Sequence, residues 1–430
     1  KLETIVKPLI LSFDIEVNSG NPNRFPNADK PTDKIFQISS IIWREGGISK
    51  KILLSLGNPI KCGKDVEIIH CDNEANLLLK FRDIIITYNP QILVGYNILG
   101  FDLPYMIKRC EYPCYCKNIF NKLGLIKDKY YEDKKISWSS SAYKNQEFEF
   151  IDLDGRIFVD LLPLVQRDYK FDQYTLKRVS TFFLGETKDP LTHKDIFRGY
   201  KLGMEDTEKG RQALGVVGKY CVQDSVLVQK LFDKLQIWVG LCEMAKTCNV
   251  PIFYLFTQGQ QIKVFSQVYK LCFCKNFIVE KDGYIPDEDE EYTGATVFPP
   301  IPGLYEKVIP FDFASLYPTT IIAYNIDYST FVDDKSNIPD KDCNIIEWED
   351  HVGCEHDTEK RATKPTKIIC AKRRYRFLKE PKGVMPTLLE YLLTTRKKTK
   401  TEMKSLKRKL KEDNTLDEKQ KIDLSKKIIV

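Results

Sequence analysis

Two acidic side chains stand two residues apart within the apolar run at residues 9–17. They are Asp14 and Glu16, and the Leu, Ile, Phe and Val residues around them extend over the length of a β-strand. In a strand, residues at i and i+2 point to the same face, so these two carboxylates lie side by side. Buried like charges repel each other unless a cation lies between them, which favours a metal site. A pair that points to solvent from an edge strand is the alternative.

Two more carboxylates are candidate metal ligands because of where they lie in the predicted strands and helices. Asp102 comes after a predicted buried strand at residues 92–97, and Pro104 makes a helix N-cap an alternative role for it. Asp224 lies four residues after Tyr220 in a segment whose apolar residues recur at helical spacing, so both side chains share one face of a helix. A buried tyrosine beside a capping Asp is the alternative there.

A fifth carboxylate, Asp312, follows the apolar segment 308–311, which we predict to be the end of a buried strand. The chain is expected to turn at Pro318, shortly after it. A carboxylate at such a position is placed to hold a metal ion. For an isolated Asp at a strand end, a helix cap would be the alternative.

Length and composition bound the fold class. A chain of 430 residues is long enough for two or three domains, because a domain takes about 100 to 200 residues. No apolar run approaches the roughly 20 residues of a membrane span, so we expect no membrane association. The first residues contain neither an initiating Met nor a signal-peptide pattern, and we expect the chain to begin inside a longer protein.

The charge is unevenly distributed. The net charge is +6, but residues 361–430 alone carry 22 Lys and Arg against 8 Asp and Glu. This basic segment indicates a polyanionic partner such as nucleotide or nucleic acid, with a solvated Lys-rich helix as the alternative. The 13 cysteines form no CxxC pair, which indicates reduced thiols in an intracellular compartment.

The basic segment predicts an antiparallel helical hairpin. Pro386 suits a first helical turn, and an apolar stripe of Leu and Met residues follows it. Arg396 and Lys400 are i,i+4 and project from one face. A capping box at residues 415–418 predicts the start of a second helix. A solvated coiled coil is the alternative.

A group of metal-ligating residue types occurs at His351, Cys354 and His356, with Cys343 and Cys370 on either side. Their spacing fits none of the common structural zinc patterns. We therefore expect a turn without metal, and a zinc site is the alternative.

Residues 312–318, Asp-Phe-x-Ser-Leu-Tyr-Pro, closely resemble the first palm motif of family B DNA polymerases, with Thr319 where the family more often has Ser. The resemblance implies that Asp312 binds both divalent metals of the polymerase site. It implies that the backbone from Phe313 through Ser315 to Leu316 meets the triphosphate, and that Tyr317 lies under the sugar of the incoming nucleotide.

Three segments that precede this motif resemble, in the same order, the motifs of the DEDDy 3′→5′ exonucleases, which the family carries ahead of the palm. They read Asp-x-Glu, Asn-x-x-x-Phe-Asp and Tyr-x-x-x-Asp. The resemblance implies two Mg²⁺ or Mn²⁺ ions, which take oxygen ligands. The implied ligands are Asp14, Glu16, Asp102 and Asp224.

The same resemblance implies roles for side chains that hold no metal. Tyr220 would orient the attacking water, and Asn97 and Phe101 would position the terminal nucleotide. Tyr292 and Gly294 lie in a segment that resembles the element contacting the template between the two sites.

The position of the basic hairpin after the palm motif implies the fingers of a polymerase, where Arg396, Lys400 and Lys427 would grip the triphosphate. The second-helix motif of the family, Lys-x-x-x-Asn-Ser-x-Tyr-Gly, is incomplete here because the sequence ends at Val430. The later palm strand Tyr-x-Asp-Thr-Asp and the thumb are not found.

The sequence therefore predicts an α/β fold, α+β overall, with an RNase H-like exonuclease domain at 1–236 and a helical connection at 237–285. A partial palm at 286–382 and incomplete fingers at 383–430 follow. The resemblance is to delta-like polymerases of eukaryotes and large DNA viruses. It implies a fragment of a proofreading DNA polymerase that would not polymerise alone.

The implied substrates are dNTPs, primer-template DNA and single-stranded DNA 3′ ends. A sliding clamp is a candidate partner, and the nucleus or a viral replication site is the expected location. A polymerase-derived stand-alone exonuclease and a single-strand-binding scaffold are the alternatives.

Overall fold

The computed structural model describes residues 7–44, 46–140, 144–186, 190–279, 298–350 and 371–413, and separate positions between 415 and 428. Tertiary contacts divide the chain into two units, the first extending through Ile262 and the second from Lys263 to Ile428. This division lies inside the helical connection predicted for residues 237–285. The predicted domain bounds remain predictions.

The strands of the first unit are β1 (Ile10–Val17), β2 (Ile35–Arg44), β3 (Gly47–Leu56), β4 (Glu67–Cys71), β5 (Ile92–Gly95), β6 (Asp133–Ser140), β7 (Lys144–Ile151) and β8 (Ile157–Asp160). A six-stranded mixed sheet has the order β4-β3-β2-β1-β5-β8. Strand β1 pairs antiparallel with β2 and parallel with β5, so it lies inside the sheet. Strands β6 and β7 form a separate antiparallel hairpin.

The helices that begin in this unit are α1 (Glu74–Tyr88), α2 (Leu103–Glu111), α3 (Lys117–Phe120), α4 (Leu161–Asp168), α5 (Leu176–Leu184), α6 (His193–Gly203), α7 (Glu208–Lys234), α8 (Ile237–Cys248), α9 (Tyr254–Thr257) and α10 (Gln261–Cys274). A short π-helix, Ile98–Asp102, connects β5 to α2. The apolar residues of the sheet and of these helices form one large core in which Leu11, Trp43 and Leu93 are fully buried.

Small residues let helix α7 pack closely on the sheet. The hydroxyl of Ser39 on β2 donates to the Cys221 carbonyl at 2.9 Å and lies 2.6 Å from the Ser225 hydroxyl. The hydroxyl of Ser12 on β1 donates to the Ser225 carbonyl at 2.9 Å. A side chain at Gly215 would lie 1.7 Å from the Ile60 carbonyl oxygen, so only glycine fits there. These contacts fix the position of α7 relative to β1 and β2.

The second unit contains α11 (Leu316–Tyr324), β9 (Phe331–Val332), a 3₁₀ turn (Asp340–Asp342), β10 (Cys343–Asp350), β11 (Ala371–Leu378) and α12 (Val384–Glu412). The strands form an antiparallel sheet in the order β10-β11-β9. The buried guanidinium of Arg376 on β11 donates to the carbonyls of Asp333 at 2.6 Å and Ile338 at 2.9 Å. This single side chain holds the loop between β9 and β10 against the sheet.

The prediction that residues 308–311 end a buried strand is wrong. The structure has irregular backbone there, and Val308 and Phe311 are 75% and 92% exposed. A strand is stable only when neighbouring backbone satisfies its hydrogen bonds, and no strand in the described part of the chain pairs with this segment. The apolar pattern indicated a preference for burial but supplied no partner. Pro318 is also not at the turn, because it lies in the first turn of α11, which begins at Leu316.

Two side chains connect the end of α11 to the start of α12. Asn325 is buried and has a left-handed backbone. Its side-chain NH₂ donates to the Leu378 carbonyl at 2.8 Å, and its side-chain oxygen accepts from the Gly383 N–H at 2.9 Å. The carboxylate of Asp327 accepts from the Val384 N–H at 3.1 Å, at the N-terminus of α12. These contacts set the direction in which α12 leaves the sheet.

A capping box was predicted at residues 415–418, but the structure has it two residues later, between Asp417 and Gln420. The Asp417 carboxylate accepts from Gln420 N–H at 2.7 Å, and the Gln420 side chain accepts from Asp417 N–H at 3.0 Å. Thr415 is used differently, because its backbone N–H donates to the Asp413 carboxylate at 3.0 Å. Glu418, the other residue of the predicted box, lies outside the described residues.

The cysteines among the described residues are free thiols, and most of them are buried. Over the same residues, no helix has both the length and the apolar character that a bilayer crossing requires.

Two adjacent serines test the interface between α7 and the sheet. Ser39→Ala should lower the free energy of unfolding by about 1–3 kcal/mol, because it leaves the buried partners of that hydroxyl unsatisfied. Ser40→Ala is the matched control, since the Ser40 hydroxyl is equally buried and has no hydrogen-bond partner among the described residues. Urea unfolding measures both. Equal losses in the two variants would contradict this account of the interface.

Candidate active sites

Asp14 and Glu16 lie on the same face of β1, as predicted from their spacing. Glu16 is buried and Asp14 is half-buried. One oxygen of each carboxylate and the Cys221 sulfur all lie within 4.8 Å of one another. The alternative of a solvated pair on an edge strand is wrong, because β1 is flanked by β2 and β5. The fold therefore brings two negative charges together in a largely buried position.

Asp102 lies at the end of the π-helix that follows β5, and only 3% of it is exposed. Its side chain makes no capping hydrogen bond to α2, so the capping alternative is wrong. Burial raises the pKa of Asp102 well above its usual value, and the charges of Asp14 and Asp160 act in the same direction. Asp102 is thus near enough to Asp14 for their charges to interact, although it lies outside the tight group with Glu16 and Cys221.

A fully buried carboxylate, Asp160 at the end of β8, holds the turn that delivers Asp102. It accepts hydrogen bonds from the backbone N–H groups of Asn97 at 2.8 Å, Leu99 at 3.0 Å and Leu162 at 3.0 Å. Burial raises the pKa of Asp160 to about 6, against the effect of these three hydrogen bonds. Sequence reasoning missed this residue. The available signal was an Asp directly after the short apolar segment at residues 157–159.

Tyr220 and Asp224 lie one turn apart on α7, as predicted. Asp224 is buried and Tyr220 is half-buried. Burial and the charges of Asp14 and Glu16 raise the pKa of the Cys221 thiol well above its usual value, and the charge of Asp224 acts in the same direction. The Cys221 thiol also donates to the Asp14 carbonyl at 3.6 Å. Cys221 therefore lies on the face of α7 that contacts β1, close to Asp14 and Glu16. Sequence reasoning did not assign it to the site.

Asn97 and Phe101 flank the π-helix turn. Asn97 has a left-handed backbone with φ 67°, and the half-buried ring of Phe101 meets the rings of Phe25 and Tyr105 at centroid distances of 5.6 Å each. Beside them is a cavity of about 300 Å³. Its lining includes Glu16, Phe25 and Phe101, so the cavity adjoins the carboxylates.

The second unit leaves its predicted site residues open to solvent. Asp312, Phe313, Ser315, Leu316 and Tyr317 are all exposed. Ser315 precedes α11 with a left-handed backbone, φ 57°, and makes no side-chain cap. Among the described residues, Asp312 belongs to no close group of three metal-ligating side chains. The helix-cap alternative for Asp312 has no support here, because Ser315 occupies the cap position.

The basic residues predicted for the fingers are exposed. Arg396 and Lys400 lie on α12, and Lys427 is helical. Tyr292 and Gly294 lie outside the described residues, and so do His351, Cys354 and His356.

Comparison with known proteins adds to this geometry. A family model described as DNA polymerase family B, exonuclease domain, matches residues 3–179, and one described as DNA polymerase family B matches residues 250–424. The chain belongs to DNA polymerase family B. The polymerase and exonuclease domains of this family generally depend on divalent metal ions.

Proteins similar to this family B chain include viral and eukaryotic polymerases. DNA polymerase 120R of Invertebrate iridescent virus 3 is 49% identical, over 95% of this chain and 39% of the relative. The DNA polymerase delta catalytic subunit of Candida albicans is 33% identical, over 92% of this chain and 35% of the relative. The chain thus spans less than half the length of these relatives.

A solved structure also has the same fold. The family B DNA polymerase from the archaeon Pyrobaculum calidifontis aligns with a TM-score of 0.59 at 19% identity, over 98% of this chain and 45% of that one.

The residues of the first unit fit divalent metal ions. Asp14 and Glu16 supply oxygen ligands close together, and Asp102 adds a third carboxyl group whose pKa is raised by burial and by the charge of Asp14. A hard divalent cation would relieve this repulsion, and Mg²⁺ and Mn²⁺ prefer such oxygen ligands. The thiol of Cys221 is a soft ligand and suits them less well.

The three hydrogen bonds of Asp160 can be tested by removing its charge. Asp160→Asn should lower the free energy of unfolding by about 1–3 kcal/mol, because an NH₂ group then faces a backbone N–H that needs an acceptor. Asp152→Asn is the control, since Asp152 is exposed in its ion pair with Lys134 and exposed ion pairs contribute little. Urea unfolding compares them. A larger loss for Asp152→Asn would contradict the role given to Asp160.

Proposed function

We propose that the first unit is a Mg²⁺-dependent 3′→5′ exonuclease that removes nucleotides from single-stranded DNA 3′ ends. The observation that carries this proposal is the close approach of Asp14 and Glu16 on a buried strand, with Asp102 within electrostatic reach. Such a group of carboxylates is costly without a cation. Membership of a family whose exonuclease domain matches this segment supports the same assignment.

The side chains at this site have two different roles, metal binding and orientation of the attacking water. Asp14, Glu16, Asp102 and Asp224 would hold the ions. When bound, a pair of divalent ions neutralises charge on the scissile phosphate and polarises it. Tyr220 orients the attacking water through its hydroxyl, one helical turn before Asp224.

The terminal nucleotide is positioned beside the carboxylates. Asn97 and Phe101 perform this role from the π-helix turn, and the cavity beside Phe101 and Glu16 receives the nucleotide. Because the turn is held by two hydrogen bonds to Asp160, these residues present a preorganised surface.

For the longer protein to which such a segment belongs, we propose template-directed addition of dNTPs to a primer 3′ end. Asp312 supplies one of two metal-binding carboxylates, the backbone of Phe313 to Leu316 meets the triphosphate, and Tyr317 lies under the sugar. The exposure of all these residues is consistent with a site that admits substrate.

In this polymerase, Arg396, Lys400 and Lys427 would bind the triphosphate, since exposed cations suit phosphate oxygens. Tyr292 and Gly294 would contact the template. We propose that the protein acts in DNA replication, at the nucleus or a viral replication site, on primer-template DNA. A sliding clamp is a candidate partner there.

Removing a metal ligand tests the exonuclease. Asp14→Ala should reduce Mg²⁺-dependent loss of 3′ nucleotides from a mismatched primer by about a hundredfold or more, since even an outer-shell partner is worth about 10–100-fold. Binding of single-stranded DNA should remain largely intact. Assays with and without Mg²⁺ measure the loss.

The control for this variant is Asp83→Ala, which removes an exposed carboxylate on α1. It should degrade the primer at the unaltered rate. Unchanged degradation by Asp14→Ala would rule out the proposed metal site.

A second test addresses the nucleotide-binding helix in the full-length polymerase. Arg396→Ala should raise the Michaelis constant for dNTPs about tenfold to a hundredfold, because a charge-assisted hydrogen bond to phosphate is lost. The exonuclease rate should not change. Arg408→Ala on the same helix removes a cation paired with Glu412 and serves as the control. An equal loss of both activities in Arg396→Ala would show that Arg396 is structural.

A further inference from the structure

The three-stranded sheet of the second unit has an aromatic face, made by Trp348 on β10, Tyr375 on β11 and Phe331 on β9. These side chains belong to residues that are 44%, 38% and 49% exposed. The Trp348 and Tyr375 rings are stacked, with centroids 5.3 Å apart and an interplanar angle of 17°. The Phe331 ring lies 6.4 Å from that of Tyr375 and 6.0 Å from that of Phe377. The rings thus form one continuous surface that solvent can reach.

The pairing of the strands brings these rings to the same side of the sheet. Arg373 lies opposite Trp348, and directly opposed residues share a face in an antiparallel pair. Phe377 likewise lies opposite Phe331. Because alternate residues of a strand point to the same side, Arg373, Tyr375 and Phe377 also lie together. The aromatic face therefore includes the guanidinium of Arg373.

Acidic side chains near the sheet are held on its other face. Arg374 points away from the aromatic face, donates to the Glu347 carboxylate at 2.9 Å and pairs with Asp340. The buried guanidinium of Arg376 lies on the same side as Arg374 and donates to Asp340 at 3.3 Å. Among the described side chains of the three strands that lie on the aromatic face, Arg373 carries the charge. The aromatic face thus combines exposed rings with positive charge.

A cavity of about 440 Å³ adjoins the aromatic face at the edge of β11. Phe331 and Tyr375 line it, and so do the cations Lys335 and Arg373. Strand β9 has only two residues, so most of this edge of β11 is not covered by it. The volume lies in the range of about 300–1,000 Å³ that is usual for ligand sites, and it can admit a nucleobase.

Two carboxylates, Asp333 and Asp334, line the same cavity. Asp334 lies 3.9 Å from the Arg374 guanidinium and 3.7 Å from that of Arg376, so cations already balance its charge. The cavity lining as a whole carries three cations against these two carboxylates. A ligand with negative charge is therefore favoured over a neutral or cationic one.

We propose that the aromatic face binds single-stranded DNA, with bases stacked on Trp348, Tyr375 and Phe331 and with phosphates contacted by Arg373 and Lys335. Proteins bind single strands by combining aromatic rings, on which any base can stack, with cations along the backbone. Sheets with exposed aromatic side chains bind unpaired nucleic acid in this way. A duplex is a poor ligand for the rings, because its bases already cover one another's faces.

This inference goes beyond the two proposed active sites, since none of their proposed residues lies on this sheet. It rests on the proposed function only in taking DNA as the substrate. The single-stranded part of a primer-template is the template that has not yet been copied. The uncopied template is therefore the expected occupant of the aromatic face.

A circular single-stranded oligothymidine tests the aromatic face, because a circle offers no 3′ end to the proposed exonuclease and no primer terminus to the proposed polymerase site. Fluorescence anisotropy of the labelled circle measures its affinity for the 430-residue chain. Trp348→Ala and Tyr375→Ala should each weaken binding by about fivefold to a hundredfold, as expected for the loss of one stacked base. Affinity for a duplex of the same length should not change.

Two further variants control this experiment. Trp348→Phe should keep most of the affinity, because it retains an aromatic ring. Tyr391→Ala removes a more exposed aromatic side chain, 65%, that lies on α12 rather than on the sheet, and should not alter binding. Unaltered affinity for the circle in both Trp348→Ala and Tyr375→Ala would overturn the proposal. An equal loss of affinity for the duplex would also overturn it, since stacking requires unpaired bases.

The phosphate contacts are tested by the dependence of the affinity on salt. Lys335→Gln/Arg373→Gln should reduce the slope of log affinity against log salt concentration by about 1.4, since each phosphate contact of a single strand contributes about 0.7. Lys275→Gln/Lys307→Gln removes two exposed cations of the same unit that are not on the sheet and is the matched control. An unaltered slope in the first variant, or an equal reduction in the control, would overturn these contacts.

Photocross-linking of the wild-type chain decides the question even if a variant does not fold. A circle that contains 5-iodouracil should cross-link to Trp348, Tyr375 or Phe331, and mass spectrometry of the peptides identifies the site. Cross-links confined to the first unit would overturn the proposal. A chain that removes 3′ nucleotides from a linear strand but does not bind the circle would overturn the aromatic face alone. A chain that binds the circle through these rings but removes no 3′ nucleotides would support the face and contradict only the exonuclease.

Discussion

Repulsion between carboxylates that are drawn together inside a folded unit is the constraint on which the first unit depends. Asp14 and Glu16 approach each other on a strand within the sheet, and the charge of Asp14 acts on Asp102. Each group is desolvated beside another of the same sign, which opposes folding unless a cation is bound. The surrounding structure must therefore hold these groups by rigid elements, since they would otherwise move apart.

Three different devices provide that rigidity. Strand β1 pairs with β2 along its length and with β5 at residues 10–12, which fixes the backbone that places Asp14 and Glu16 on one face. The turn before Asp102 is held by the backbone N–H groups of Asn97 and Leu99, which both donate to Asp160. Helix α7 is joined to the sheet through the hydroxyls of Ser39 and Ser12. Each device lies outside the proposed metal ligands and determines where they stand.

The second unit is organised on a different principle. Its proposed site residues are exposed, and its order comes from polar side chains that bind backbone. Asn325 and Asp327 connect α11 to α12, and Arg376 holds the loop before β10. Because no described strand covers residues 308–311, Asp312 lies on irregular backbone at the surface. That carboxylate is therefore exposed to solvent.

The sequence by itself determined the elements and the types of chemistry. Periodicity predicted β1, β5 and α7, because side-chain spacing along a strand or helix is a local property. It also placed Asp14 beside Glu16 and Tyr220 one turn from Asp224. The motif order identified the family, which the family models confirm.

Only the tertiary structure decided which residues support these groups. Asp160 accepts hydrogen bonds from Asn97 and Leu99, and the ring of Phe25 meets that of Phe101; no local pattern reports contacts between residues so far apart in the chain. The failed strand at residues 308–311 has the same physical reason, because apolar residues indicate a preference for burial while a strand forms only where another backbone offers its hydrogen bonds.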